Sequence, residues 1–402
     1  MKPWLTVIGI GDDGLVGLAP AARSLIQTAE AIVGGARHLA MVGESKAERL
    51  TWRQPFADSI AAIAARRGRR VVVFASGDPM WHGAGATLTR HFAREEMTIV
   101  PHPGAFSLAA ARLGWPLAEC ATLSLHGRPL NTLRLHLAEG RRLLILAEDG
   151  TTPVSVAGLL SDSSWGPSRM TVLEHLGGAA EAVYSTTAES WAKSPVADLN
   201  TIAVECRAEP GIRGLSRLAG LPDEAFAHDG QLTKREIRAA TLAALAPLPG
   251  ERLWDVGAGC GSIAIEWLRA DDHTIAIAIE RDAARVGLIA ANAATLGVPR
   301  LAVVHGAAPA ALDELAAPDA IFVGGGLGDP ALMPRLWQAL PAGGRLVANA
   351  ITVDGERALL DWQAEHSGQL TRLAISRGEP LGAHLGWRAL APVTQLLCIK
   401  PR

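Results

Sequence analysis

The ten residues from Leu253 to Ser262 read L-W-D-V-G-A-G-C-G-S. A short apolar run closes on an acid, Asp255, then meets glycines at alternate positions and passes into I-A-I-E-W-L-R-A, a helical pattern. Glycine has no Cβ, so the turn can take positive φ and a ligand can lie against free backbone N–H groups at the helix start. Asp255, Gly257, Ala258, Gly259 and Gly261 therefore read as a nucleotide-type cradle. The dinucleotide fingerprint places a third glycine three positions after the second, where this chain has Ser262. A further strand, 274–279, ends in Glu280, an acid placed to accept hydrogen bonds from both hydroxyls of a ribose. A ribose-bearing ligand is expected, with or without phosphate.

Three stretches of the first half also bring backbone close to a ligand. A strand over 5–10 runs into V-I-G-I-G-D-D-G-L with Gly9 and Gly11, and the paired carboxylates Asp12 and Asp13 would repel a phosphate. The strand 70–75 ends in S-G-D-P-M-W-H-G-A-G, which puts Ser76, Gly77 and Asp78 where open α/β sheets hold ligands; Asp78 before Pro79 also suits an ordinary turn. After the strand 97–100 comes P-H-P-G-A-F-S-L, a helix opening whose free N–H groups around Ala105 and Ser107 would take a carboxylate or a ribose. His126 and Arg128, in S-L-H-G-R, could face an acidic substrate or simply form a turn.

These stretches need strands and helices in alternation to hold them. Helical patterns over 20–30, 35–42, 58–65 and 283–296, with strands at 142–147, 170–174, 200–205, 301–304, 319–326 and 345–348, give an α/β class. A helix is expected after Thr233, with Thr233 as N-cap and Glu236 as its capping-box partner. At 402 residues the chain exceeds one ordinary core. Residues 208–223, with two prolines and three glycines and no sustained period, divide a domain over 1–207 from one over 224–402.

Composition excludes several functions. Lys plus Arg number 38 against 40 acids and aromatics are 4%, so no net field invites nucleic acid. No apolar run approaches the roughly 20 residues that span a bilayer, and the first residues lack a leader pattern, so no membrane role and a cytoplasmic location are expected. Cys120, Cys206, Cys260 and Cys398 are widely spaced, as in a reducing compartment, and no metal site is expected. Arg66, Arg67, Arg69 and Arg70 around Gly68 read as a solvated, glycine-capped helix end.

D-V-G-A-G-C-G-S with I-E-R-D resembles the class I S-adenosylmethionine-dependent methyltransferases, and among them the decarboxylating precorrin methyltransferases. V-I-G-I-G, S-G-D-P-M-W-H-G-A-G and P-G-A-F-S-L before A-R-L-G-W-P, in that order, resemble the tetrapyrrole (class III) methyltransferases over roughly residues 1–207, in the branch that methylates carbon 5. Three departures stand out. Asp12 and Asp13 follow Gly11 where many relatives have P-G-D, Phe106 occupies a position commonly small, and Ala307 replaces the acid of G-D-A-P that contacts adenine. Adenine would then be held by shape or by the backbone of 306–308.

The resemblance implies a two-lobed tetrapyrrole-methylase αβ domain followed by a Rossmann-like class I domain, with one S-adenosylmethionine in each. It implies methylation of carbons 5 and 15 of a corrinoid precursor, loss of the ring-C acetate carboxylate, and a homo-oligomer. Gln231 and Thr233 become cofactor contacts, and Asn349, in N-A-I-T, a neutral group near the reacting carbon. His126, Lys234, Arg235, Arg377 and His384 become candidates to meet substrate carboxylates. Two other readings stay open: a nicotinamide-dependent oxidoreductase, against which Ser262 and the two-acid loop speak, and a corrinoid carrier without turnover.

Overall fold

The computed structural model describes residues 3–402. The chain forms two compact units, Met1–Leu130 with Ala138–Arg213, and Asn131–Leu137 with Gly214–Arg402.

The first unit holds two five-stranded sheets. Strands β1 (Leu5–Ile10), β2 (Ala31–Gly34), β3 (Glu48–Thr51), β4 (Val71–Ser76) and β5 (Met97–Val100) lie in the order β3-β2-β4-β1-β5, all parallel. Val71 to Ala75 are all buried, as a parallel strand covered on both faces requires. Leu5 pairs with Val71 and Ile10 with Ser76, so Gly11 and Gly77 leave the sheet at the same edge. The second sheet contains β6 (Cys120–Ser124), β7 (Arg142–Leu146), β8 (Arg169–Glu174), β9 (Ala182–Thr187) and β10 (Asn200–Glu205), in the order β6-β7-β10-β8-β9. Only β6 and β7 run parallel there.

In the second unit, β11 (Arg252–Val256), β12 (Ile275–Glu280), β13 (Ala302–His305), β14 (Ala320–Val323), β15 (Arg345–Ala350), β16 (Gln369–Leu373) and β19 (Val393–Ile399) form one sheet ordered β13-β12-β11-β14-β15-β19-β16. The first five are parallel, and β19 enters antiparallel between β15 and β16. Side chains alternate across it: Leu253, Phe322 and Val347 pack in one core with helices Arg235–Leu245 and Ser262–Ala270, whereas Trp254, Ile321 and Leu346 pack in another with Leu332–Ala339 and Val353–His366. Strands β17 (Ser376–Leu381) and β18 (His384–Ala389) form a separate ribbon exposing Leu381, Leu385 and Trp387. Among the described residues no helix is long and apolar enough to cross a membrane.

Three local expectations need correction. The helix expected over 20–30 stops at Gln27, because Ala31–Gly34 is a buried strand too short to show a period. The arginines near Gly68 follow a helix that ends at Ala64 and are ion-paired: Arg66 and Arg69 with Glu48, Arg67 with Glu96. Thr233 caps nothing. The helix starts at Arg235, Lys234 is its N-cap without a side-chain bond, and Glu236 instead accepts from Arg377 at 2.7 Å.

The reason is Arg238, whose side chain is fully buried. Its guanidinium donates to Glu266 Oε1 at 2.9 Å, to Asp223 Oδ1 at 2.8 Å, and to the carbonyls of Thr233 and Leu221. Glu266 also accepts from the N–H groups of Gly220 and Leu221, at 2.6 and 3.1 Å. One arginine thus ties residues 220–223 and the entry to its own helix onto the helix that opens the glycine cradle. Removing one partner of a buried pair leaves the other charged and unpaired. Arg238→Ala should lower stability by about 3–5 kcal/mol, read as a shift of the second unit's transition in calorimetry of the whole chain.

Candidate active sites

In the second unit, β11 delivers Asp255 and then a turn in which Gly257, Gly259 and Gly261 have φ of 70, 60 and 81°. A Cβ on Gly257 would lie 3.0 Å from the backbone nitrogen of Gly325, so the loop after β14 can press against the cradle only because no side chain is there. Gly257 and Ala258 both donate to the carbonyl of Ile279, and Gly259 donates to Glu280 Oε2 at 2.8 Å. Glu280 Oε1 accepts from Asp282 at 3.0 Å. Each oxygen of this buried carboxylate keeps lone-pair capacity for a hydroxyl donor.

Asp255 is 1% exposed. Its Oδ2 accepts from the N–H of Ala264 at 3.0 Å, capping the following helix from the preceding strand, and its Oδ1 has no partner. Burial pushes its pKa up to about 7, with the neighbouring charge of Glu280 adding to the rise. An orphaned acceptor, a cradle that a Cβ would obstruct and a ribose-competent acid fit a cationic adenosyl cofactor.

The segment before the helix at Arg235 is tied to the same site. Asp229 accepts from Arg285 at 2.8 Å and from the N–H of Gln231 at 3.1 Å. Asn292, buried, exchanges two hydrogen bonds with the backbone of Ala227 and donates to the carbonyl of Cys260 inside the cradle. Gln231 is exposed, Thr233 is half-buried with its carbonyl taken by Arg238, and Lys234 is half-buried. Ala307 is exposed, and Gly306 N–H is already donated to the carbonyl of Glu280.

Asn349 lies within β15, not after it. Its amide donates to Thr241 Oγ1 at 2.9 Å and accepts from Gln395 Nε2 at 3.0 Å. Arg377 is held between Asp223 at 3.1 Å and Glu236 at 2.7 Å. Arg235 and His384 are exposed, His384 on the ribbon.

The first unit contains a cavity of about 1180 Å³ lined from both its sheets, by Gly11 and Ser76 to Asp78 on one side and by Leu146 and Asn200 on the other. Ala105, Ser107 and His126 line it as well. Gly9 lies outside the lining; a Cβ there would come within 2.9 Å of His102. Gly77 has φ of 60°, and its Cβ would stand 2.7 Å from the Cα of Gly104, so two cavity-lining loops touch backbone to backbone. Asp78 Oδ1 accepts from the N–H of Met80 at 2.8 Å, a turn bond.

Asp12 is not a free carboxylate: it pairs with Arg37 at 2.6 Å and with His175 at 2.9 Å, from the end of β8. Arg37 Nη2 also lies 3.2 Å from His38 Nε2, and Ser76 Oγ lies 3.1 Å from the same nitrogen. His38 is 7% exposed, and burial, with Arg37 beside it, pushes its pKa down to about 4. By contrast Arg90 and Arg128 line the cavity and make no ion pair among the described residues.

A family model described as tetrapyrrole (corrin/porphyrin) methylases matches residues 4–192, and a precorrin methyltransferase domain model matches residues 224–400. A precorrin-6Y C(5,15)-methyltransferase [decarboxylating] of a Sinorhizobium species is 49% identical over 396 residues, covering 98% of this chain and 96% of that protein. The chain belongs to the precorrin-6Y C(5,15)-methyltransferase (decarboxylating) family. The Mycobacterium tuberculosis member is 44% identical, over 97% of this chain and 98% of its own. A solved C-terminal domain of the Rhodobacter capsulatus member is 49% identical, spans 46% of this chain and all of that one, and has a TM-score of 0.44.

For this precorrin-6Y family chain, sequence reasoning overlooked Asn292, Arg37 and His38. The first sits in the middle of a helix with no motif around it; the other two follow β2, which was itself hidden. Their roles come from neighbours 32 to 65 residues away for Asn292 and 25 or more for Arg37 with Asp12.

Asp255 makes a signed prediction. Its folded pKa lies above the ordinary aspartate value, so its contribution to stability is complete below about pH 4 and is lost as pH rises through about 7. In the cofactor-free chain the second unit's thermal midpoint should fall between about pH 5 and pH 8, and Asp255→Asn should remove that part of the slope. An unchanged slope in the variant would contradict the assignment.

Proposed function

We propose that the chain converts precorrin-6Y to precorrin-8X by two methyl transfers and one decarboxylation, with one S-adenosylmethionine bound in each unit. Carbon 5 is methylated in the first unit; carbon 15 is methylated, and the ring-C acetate carboxylate removed, in the second. The observation that supports this best is the presence, on one chain, of two unlike cradles, each at the carboxyl edge of a parallel sheet. The cofactor supplies an electrophilic methyl on a sulfonium. The protein's share is alignment and exclusion of water, which needs no nucleophilic triad.

In the first unit the acid arms of the macrocycle meet Arg90 and Arg128, cations left unpaired beside the cavity. Asp12, ion-paired with Arg37 and hydrogen-bonded with His175, adds little repulsion there. Loss of the acetate carboxylate in the second unit leaves an electron pair that the protonated imine of the ring accepts, so no protein nucleophile is required. Asn349, fixed by Thr241 and Gln395, offers a rigid neutral amide; Lys234, rather than the already paired Arg377, is the cation available to a substrate arm. A homo-oligomer built through the second unit belongs to the same reading, supported by the exposed Leu381, Leu385 and Trp387, since apolar patches of this kind are covered by isologous contacts.

Mass analysis of the product of the whole chain tests the reading. Wild type should add two methyl groups and lose carbon dioxide; Gly77→Val should yield the product with one methyl and without the ring-C acetate carboxyl, and Gly257→Val the product with one methyl and that acetate carboxyl retained. A single variant that abolishes both methylations would overturn the division of labour. Arg128→Gln should raise KM for the carbon-5 step about tenfold, the equivalent of one charge-assisted hydrogen bond, with little change at carbon 15.

A further inference from the structure

The loop after β4 carries His82 at φ 57°, in the left-handed region that non-glycine residues rarely occupy and that proteins retain mainly at functional positions. Its ring meets Phe106 edge-on, with centroids 6.2 Å apart, and Trp81 meets the same phenyl ring at 6.0 Å. Phe106 is the second residue of the helix Ala105–Leu113 and is itself buried. The Phe106 ring thus orients His82 beside the cavity that both residues line.

The other histidines near this cavity are less suited to taking a proton. His38 has Nε2 occupied by Ser76 and Arg37 and Nδ1 buried, and His102, 3.7 Å from Asp13, lies outside the cavity lining. His126 is exposed on the loop after β6, and among the described residues no ring lies beside it to orient it. His82 makes no hydrogen bond through its ring among the described residues. Lost hydration against the cavity wall and the charge of Arg128 both push its pKa below the ordinary histidine value. The remaining charged groups on the cavity wall are Asp78 on its own loop, Arg90 just beyond the helix that follows, Arg37 with Asp12, and Glu148 and Asp198 from the second sheet. Asp78 and Asp198 each accept from a backbone N–H, of Met80 and Gly150 respectively.

We propose that His82 is the base that removes the proton from the methylated carbon in the first unit. The inference rests on the assignment of carbon-5 methylation to that unit. The enamine electron pair of the macrocycle forms the new carbon–carbon bond as the sulfur–methyl bond breaks, leaving a neutral thioether and a cationic iminium. The carbon then bears both hydrogen and methyl. Its C–H bond breaks, the electron pair returns to the conjugated ring and neutralises the iminium, and the proton passes to an imidazole nitrogen. His82 is exposed, so the imidazolium can release that proton to water.

The test uses the whole chain, precorrin-6Y with and without deuterium at carbon 5, and the His82→Gln variant. In wild type the carbon-5 rate should fall as pH drops through a single protonation below 6.5. The variant should lose about a hundredfold in that rate, lose the acid limb, and show a larger deuterium isotope effect, while carbon-15 methylation and S-adenosylhomocysteine binding stay as in wild type. A variant that keeps the rate and the acid limb overturns the proposal, and so does one that no longer binds S-adenosylhomocysteine in the first unit, since His82 would then be structural. Wild type that adds no methyl at carbon 5 refutes the functional assignment itself, a result distinct from either.

Discussion

Both units depend on backbone meeting backbone at the carboxyl edge of a parallel sheet with no side chain between. At Gly77 a Cβ would stand 2.7 Å from the Cα of Gly104, and at Gly257 it would stand 3.0 Å from the nitrogen of Gly325. Any other residue would push two ligand-facing loops apart, and positive φ at both positions adds strain. In the second unit the register makes that contact possible, since β11 and β14 end level with one another; in the first the two loops leave β4 and β5, which flank β1 on either side. A cofactor approaching such an edge meets N–H groups and short turns instead of side chains.

Charge is handled in opposite ways around these edges. Where the fold needs permanence it satisfies the charge: Arg238 and Glu266 use most of their hydrogen-bonding capacity on each other and on nearby backbone. Where a ligand is expected the charge is left over. Among the described residues Asp255 Oδ1 has no partner, and Arg90 and Arg128 have no acid, although the arginines around Gly68 have all found one. A buried unpaired acceptor is costly in the empty protein and favourable once a cation arrives, which makes it a marker of ligand contact.

Much of this was legible in the chain. The strand–glycine–helix pattern at Leu253, the acid at Glu280 and the order of the three first-half signatures lead to α/β units of two different kinds, because local backbone geometry and hydrophobic runs carry that information. Less legible were the four-residue strands β2 and β3, too short to show a period, and the helix start near Thr233. The spacing of Thr233 and Glu236 satisfied the capping rule, yet Arg238 and Arg377 outcompeted it for the Thr233 carbonyl and for Glu236. Capping is worth about 1 kcal/mol, less than the cost of leaving a buried guanidinium unpaired.

The order of residue types along the chain determined by itself that each half carries glycine-rich turns at strand ends and where each turn lies, since glycine spacing and adjacent acids are local properties. Tertiary structure alone decided which charges are spent and which remain free. Asp12 is held by a hydrogen bond with His175, 163 positions away, and Arg377 is taken by Asp223, 154 positions away, while His82 is left beside Phe106. Electrostatic partnership depends on distance through space, and pairs so far apart in sequence leave no pattern in the chain that a reader could follow.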